Sequence, residues 1–265
     1  MFTKKLFVLI CASIISFMVY AQNQTNVNET SKVIDSFFQC DNQFFKQLKT
    51  NKDSFSQYTD LAFVDNFAYI VSDSIEHDKK NRVVFKKPIE YRGLKILGYQ
   101  NIFIPTSVSG QFYYWGFIFD NKPQYVKQAL NNINWLDFNE KIHFANPKIY
   151  DKKSKNKTWQ DNPYSIDMVI PRSGTVEKSL YLEPIEDNQS RVICSIQGDI
   201  DKKILYSVRP DMKPIDKEYE IKRKKRIEDN NQIKQKENQE NLKSQQEKDI
   251  NQKSTKYNSK NGDKI

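Results

Sequence analysis

The chain has 265 residues, of which 38% are hydrophobic and 28% charged, and it carries a net charge of +9. Seven dispersed glycines exclude the common glycine-rich phosphate cradles, and the two histidines, His77 and His143, are far apart and lack the spacing of a zinc site. No metal and no cofactor are expected. The charge is uneven: from Asp211 onward fifteen Lys or Arg stand against eleven Asp or Glu, Lys4 and Lys5 add two, and the body keeps about +3. So mild a surplus gives no expectation of a nucleic-acid partner.

Residues 1–21 read as an export sequence. Lys4 and Lys5 form its charged start, an apolar run spans 6–18, and Val19-Tyr20-Ala21 supplies a small-residue cleavage site before Gln22. A retained anchor is the competing reading, but the run is short for a span of about 20 residues. Cleavage removes Cys11 and leaves Cys40 and Cys194 in an oxidising compartment, where an even pair predicts one disulfide. Closing so long a loop contributes on the order of 4 to 5 kcal/mol in the chain-entropy account. The expected location is the periplasm, with full secretion as the alternative.

Residues 22–32 are polar and read as a disordered leader, and a globular domain is expected over 33–209. Phe37, Phe38, Phe44, Phe45 and Leu48 open its core, with Asp41 placed to cap a short helix ending near Thr50. Stretches 61–72, 82–86, 91–104 and 110–119, rich in Val, Ile, Phe and Tyr, read as four antiparallel strands. Asp65-Asn66 marks a turn or bulge in the first, and Gly93 a bend. A second helix is expected over 123–133, with Asp120 or Asn121 as cap and Tyr125, Val126, Ala129 and Leu130 as its apolar face. Further strands are expected at 136–144, 164–170, 176–183 and 191–196, the last two forming a hairpin that turns over 186–189.

The whole reads as α+β: an antiparallel sheet with two short helices. The Asp-Asn openings at 41 and 120 raise the option of a duplicated helix-plus-four-strand unit, with halves 33–119 and 120–209. Residues 210–265 form a charged tail without heptad spacing, read as disordered or as a solvated helix. Within it Lys222, Arg223, Lys224, Lys225 and Arg226 form a basic knot that fits weak contact with anionic surfaces, although Glu218, Glu220, Glu228 and Asp229 dilute it.

The most aromatic run, 111–119, is the strand around which the domain is organised. Alternation sends Tyr113, Trp115, Phe117 and Phe119 to one side and Phe112, Tyr114 and Ile118 to the other. Both sides are apolar, which predicts a central buried strand; if one side is open, Tyr114 and Phe112 are the partner-binding candidates. Trp159, amid Lys155, Lys157 and Gln160, is a further surface-contact candidate.

No catalytic residue emerges. Cys40 with His143 is the one thiol–imidazole pairing to consider, and export makes a disulfide the better fate for the cysteine. Carboxylate pairs such as Asp35 with Asp41, or Glu183 with Glu186, are common in so charged a chain. The leading expectation is a non-enzymatic binding protein that recognises a protein or cell-envelope partner, inhibitor- or immunity-like in role; the alternative is a cell-wall hydrolase using carboxylates. Two converging carboxylates, one with a raised pKa, distinguish the hydrolase from the binder.

Overall fold

The structure, a computed structural model, describes residues 28–76, 80–106, 110–186 and 188–261. The expected export sequence and His77 lie outside them. Helix α1 covers 28–37, so residues 28–32 belong to a helix and not to a leader without structure. Thr30, Val33, Ile34 and Phe37 are all buried and recur at i, i+3, i+4 and i+7, the spacing that packs one helical face against a core. The chain then turns at Cys40, whose positive φ of 50° lets it reverse direction, into α2 (Gln43–Thr50) and α3 (Lys52–Phe55). The N-cap of α2 is Asn42, without a side-chain cap, and not the expected Asp41, whose Oδ1 accepts the Gln43 N–H at 2.9 Å in the turn just before the helix.

The expected first strand is a hairpin, β1 (Leu61–Val64) and β2 (Phe67–Ile70), in a two-stranded sheet of its own. Asp65 at φ 50° makes the turn, a left-handed conformation that Asp and Asn tolerate. An eight-stranded antiparallel sheet holds the rest. Its strands are β3 (Arg82–Tyr91), β4 (Leu94–Pro105), β5 (Gln111–Phe119), β6 (Leu136–Asp137), β7 (His143–Asp151), β8 (Gln160–Asp161), β9 (Thr175–Glu186) and β10 (Gln189–Gly198). The order β3-β4-β5-β10-β9-β7-β6, with β8 beside β7, sets the last long strand of each half at the centre, where β5 and β10 pair over their full lengths. The fold is α+β, with more helix than the two expected.

Four expectations are corrected. The stretch 164–170 is not a strand, and 136–144 contributes only β6 and the first residues of β7. Helix α4 is Pro123–Ala129, shorter than expected; it buries Pro123 and Val126 and leaves Tyr125 exposed. The N-cap is Lys122, with no side-chain cap from Asp120 or Asn121.

One face of the sheet carries the main core. Tyr99, Trp115 and Phe117 lie on it, with Phe37 and Phe44 packed edge-on against Phe117 at 4.9 and 5.7 Å. Paired residues across a ladder share a face, so Cys194, opposite Trp115, also points this way and is bridged to Cys40 across 154 residues. After α5 (Lys202–Val208) the chain seals this face with Arg209, which is fully buried over the Trp115 ring at 4.5 Å. Arg209 Nη2 and Nε donate to Asp211 at 2.6 and 2.9 Å, and Nη2 also to Asn101 Oδ1 at 3.0 Å. Burial works against the charge, but Asp211 outweighs it and holds the guanidinium pKa above its ordinary value.

A second compact unit begins at Lys213. Helix α6 runs Met212–Asn261, and Ile221, Ile227 and Ile233 on it are exposed, so it has no apolar stripe to bury. Lys222 pairs with Glu218 at i,i+4. Successive residues turn about 100° round a helix, so Lys222 to Arg226 are spread around α6 and do not form one basic face. Among the described residues no helix is long and apolar enough to cross a membrane.

Candidate functional site

The opposite face of the sheet is organised by the other half of β5. Phe112 and Tyr114 pack there with Phe144, Tyr181 and Ile193, and Ile102, Ile104 and Ile142 flank them. This face is not open at Tyr114 and Phe112, which are 6% and 4% exposed. Both sit beneath a strap, residues 162–170, and its sequence Asn-Pro-Tyr-Ser-Ile-Asp-Met-Val-Ile alternates as a strand does while pairing with no other strand.

Polar groups hold the strap down. Asn162 Nδ2 and Ser165 Oγ donate to the two carboxylate oxygens of Glu177 at 2.7 and 3.0 Å. Gln197 Nε2 donates to the Ile166 carbonyl at 2.8 Å, and the Tyr114 hydroxyl donates to Asp167 Oδ1 at 2.9 Å. Asp167 Oδ1 also accepts the Met168 N–H, and Met168 takes a positive φ of 60° that turns the chain at this point. With Ser165 and Asp167 turned toward the sheet, part of the strap's apolar surface is left to solvent: Tyr164 is 87% exposed and Ile166 and Val169 are exposed as well, while Met168, half exposed, keeps its Sδ 3.0 Å from the Tyr114 hydroxyl. At its end Ile170 lies over Gly110, where a Cβ would come within 3.1 Å of the isoleucine side chain.

Beneath the strap runs a polar chain. Arg191 Nε donates to Glu183 Oε1 at 2.7 Å, Arg191 Nη1 to Gln100 Oε1 at 2.9 Å, and Gln100 Nε2 to Asn81 Oδ1 at 3.0 Å. Burial pushes the Asp167 carboxyl above the ordinary range; the Tyr114 hydrogen bond opposes this and the Glu183 charge adds to it. Tyr114 is raised by burial and then by Asp167, and Tyr181 is pushed up to about 12, chiefly by burial. The Ser165 and Ser179 hydroxyls near Tyr181 lower its pKa without completing a hydrogen bond of good geometry. The raised Asp167 thus lies within reach of the Glu183 charge, but Arg191 pairs with Glu183 and the Tyr114 hydroxyl occupies Asp167.

Trp159 sits on the other side of the sheet. Its ring is tilted on Tyr150 at 5.5 Å, and the Lys178 ammonium lies 5.1 Å from its centre. Lys178 is buried, donates to the Gln39 and Cys40 carbonyls, and has its pKa lowered, first by burial. Trp159 and Tyr150 wall a cavity of about 210 Å³ together with Lys152, Lys157, Asp201, Lys203, Ile204 and Ser207.

His143 starts β7, buried, with Nδ1 2.6 Å from Asp137 Oδ1, which also accepts from Lys127 at 2.7 Å. Lys127 first, and then His143, hold the Asp137 carboxyl below its usual range. Cys40 is committed to its bridge with Cys194, so no Cys40–His143 nucleophile exists. Asp35 accepts from Tyr91 and Arg92, and Asp41 from the Gln43 amide, so that pair does not form a shared acid–base site. Among the described residues no group of three His, Cys, Asp or Glu could hold a metal.

Sequence reasoning thus finds β5 buried, as observed, and names Tyr114 and Phe112 only for the case of an open side, but it misses the strap that covers this face. The signal is present in Tyr164, Ile166 and Met168 alternating with Ser165 and Asp167; alternation alone does not say which half meets the protein. No protein-family model matches this chain, and neither a curated protein nor a solved structure matches it.

Proposed function

We propose that this is an exported, periplasmic, non-enzymatic binding protein that docks another protein through the outward side of the strap, in an inhibitor- or immunity-like role. The observation that carries the reading is the strap's polarity: Ser165 and Asp167 face inward while Tyr164, Ile166 and Val169 are exposed to water. Tyr and Met are enriched at protein interfaces, and a loop on a rigid sheet presents them with little motion to lose on binding. The periplasmic placement rests on the pattern of residues 1–21, and the Cys40–Cys194 bridge is compatible with export. The test is a photo-crosslinking amino acid at position 164, with position 125, which is also exposed, as control. A discrete adduct from 164 and none from 125 is expected; equal labelling from both, or none, rejects the strap as a docking site.

Asp167 and Glu183 favour a second reading, a cell-wall hydrolase, because one carboxyl is raised with the other nearby. Separate Asp167→Asn and Glu183→Gln variants decide it: release of soluble fragments from purified cell wall by the parent protein, abolished in both, supports the enzyme. No release by the parent protein removes it.

A further inference from the structure

The Trp159 cavity is built differently from the strap and stands independently of the docking reading. Its walls are two aromatic rings, Tyr150 and Trp159, its apolar side is Ile204, and its polar groups are the Ser207 hydroxyl, Asp201 and the ammonium groups of Lys152, Lys157 and Lys203. The charges are unequally occupied. Lys152 is already paired with Asp199 and Asp201 at 3.0 and 3.7 Å, and Asp201 Oδ1 also accepts the Ile204 N–H. Lys157 and Lys203 have no ion-pair partner among the described residues. The unspent charge at this cavity is therefore positive.

Trp159 is also held in place, as a recognition surface requires. Lys178 is 8% exposed and contacts the ring from outside the set of lining residues, while its ammonium is fixed by the Gln39 and Cys40 carbonyls. Cys40 is in turn fixed by its bridge to Cys194. The indole thus rests on a buried cation tied to the disulfide, and its position costs little to order on binding.

We propose that this cavity binds a single pyranose ring bearing one negative group, a carboxylate or a phosphate. The electron-rich faces of Trp159 and Tyr150 attract the slightly positive C–H face of a sugar ring, Lys157 and Lys203 meet the anion, and Ser207 and Asp201 take hydroxyls. The volume suits a small ligand: about 210 Å³ is below the roughly 300–1,000 Å³ of pockets that hold drug-sized ligands and matches one ring better than a base, ribose and phosphate together.

The test follows the Trp159 indole N–H by NMR, assigned with Trp159→Phe, while the oxidised protein is titrated with glucuronate, glucose 6-phosphate, glucose, inorganic phosphate or adenosine monophosphate. A saturable shift with glucuronate or glucose 6-phosphate, at least about tenfold weaker with glucose and with inorganic phosphate, is expected. The stronger of the two identifies the anionic group as carboxylate or phosphate. Lys203→Gln, a change at an exposed side chain that leaves the fold intact, weakens the anionic sugar about threefold and leaves glucose unaffected. No shift with either anionic sugar, glucose or inorganic phosphate binding as tightly, or tighter binding of adenosine monophosphate would each overturn the assignment.

Discussion

The two faces of the eight-stranded sheet are covered in opposite ways. On one, α1 and α2 lay Phe37 and Phe44 against Phe117, a disulfide joins Cys40 to β10, and Arg209 closes the end over Trp115. On the other, an irregular strap lies over Phe112, Tyr114 and Tyr181 and is pinned by side chains such as Gln197, Glu177 and Tyr114. The first face is sealed by apolar contact and a covalent bond, which act through burial and through the unfolded chain. The second is covered by a segment that leaves Tyr164, Ile166 and Val169 exposed. A strand as aromatic as β5 can thus build an apolar cluster on each side, one beneath helices and the other beneath a loop.

This contrast can be broken most strongly at the disulfide. Cys40→Ser with Cys194→Ser releases a loop of 154 residues, and the loss is about 5 kcal/mol if chain entropy dominates. Urea denaturation of the oxidised protein and of the variant measures it, and an unchanged midpoint would mean that helix packing already seals that face. Next is Asp211→Ala, which leaves the Arg209 charge buried without its carboxylate and costs about 3–5 kcal/mol. The tail expected from residue 210 therefore begins only after Met212, because Asp211 belongs to the body of the protein.

The strap face should respond more gently. Because burial raises the Asp167 carboxyl, the folded state holds that proton more tightly than the unfolded chain does. Its contribution to stability is full below the ordinary value of 3.8 and is lost as pH rises through the higher folded value. Asp167→Asn keeps an acceptor for the Tyr114 hydroxyl, so the variant should lack this downward slope and be at least as stable as the parent protein at pH 7. Melting temperatures from pH 3 to 7 test this, and a parallel slope in the variant would assign the effect to another group. The smallest effect is expected from Tyr164→Ser, within about 0.5 kcal/mol of the parent stability, since this side chain is almost wholly in water. A larger loss would mean that it packs on the sheet after all.

Elements whose pattern is internally consistent are legible in the amino-acid sequence. The β9–β10 hairpin alternates along its length, and Cys194 shares a face with the buried Val192 and Ile196 as alternation requires. Helix α1 is legible as well, since Thr30, Val33, Ile34 and Phe37 keep helical spacing, but the polar composition of 22–32 obscures it. Trp159 stands out by its charged neighbours in sequence, whereas the cavity beside it also needs Tyr150, Ile204 and Ser207 from β7 and α5.

Sequence by itself determined the α+β class, the central place of β5 and the means for one disulfide, because each follows from residue type, local period or cysteine count. Tertiary structure decided what lies over each face. The stretch 164–170 has the alternation of a half-buried strand, and locally its apolar half is the one expected to turn inward. Tyr164, Ile166 and Val169 stay exposed instead because Glu177, Gln197 and the Tyr114 hydroxyl wait on the sheet below. Leaving buried polar groups unpaired costs more than leaving a few apolar side chains in water, and that balance is set by residues distant in the chain.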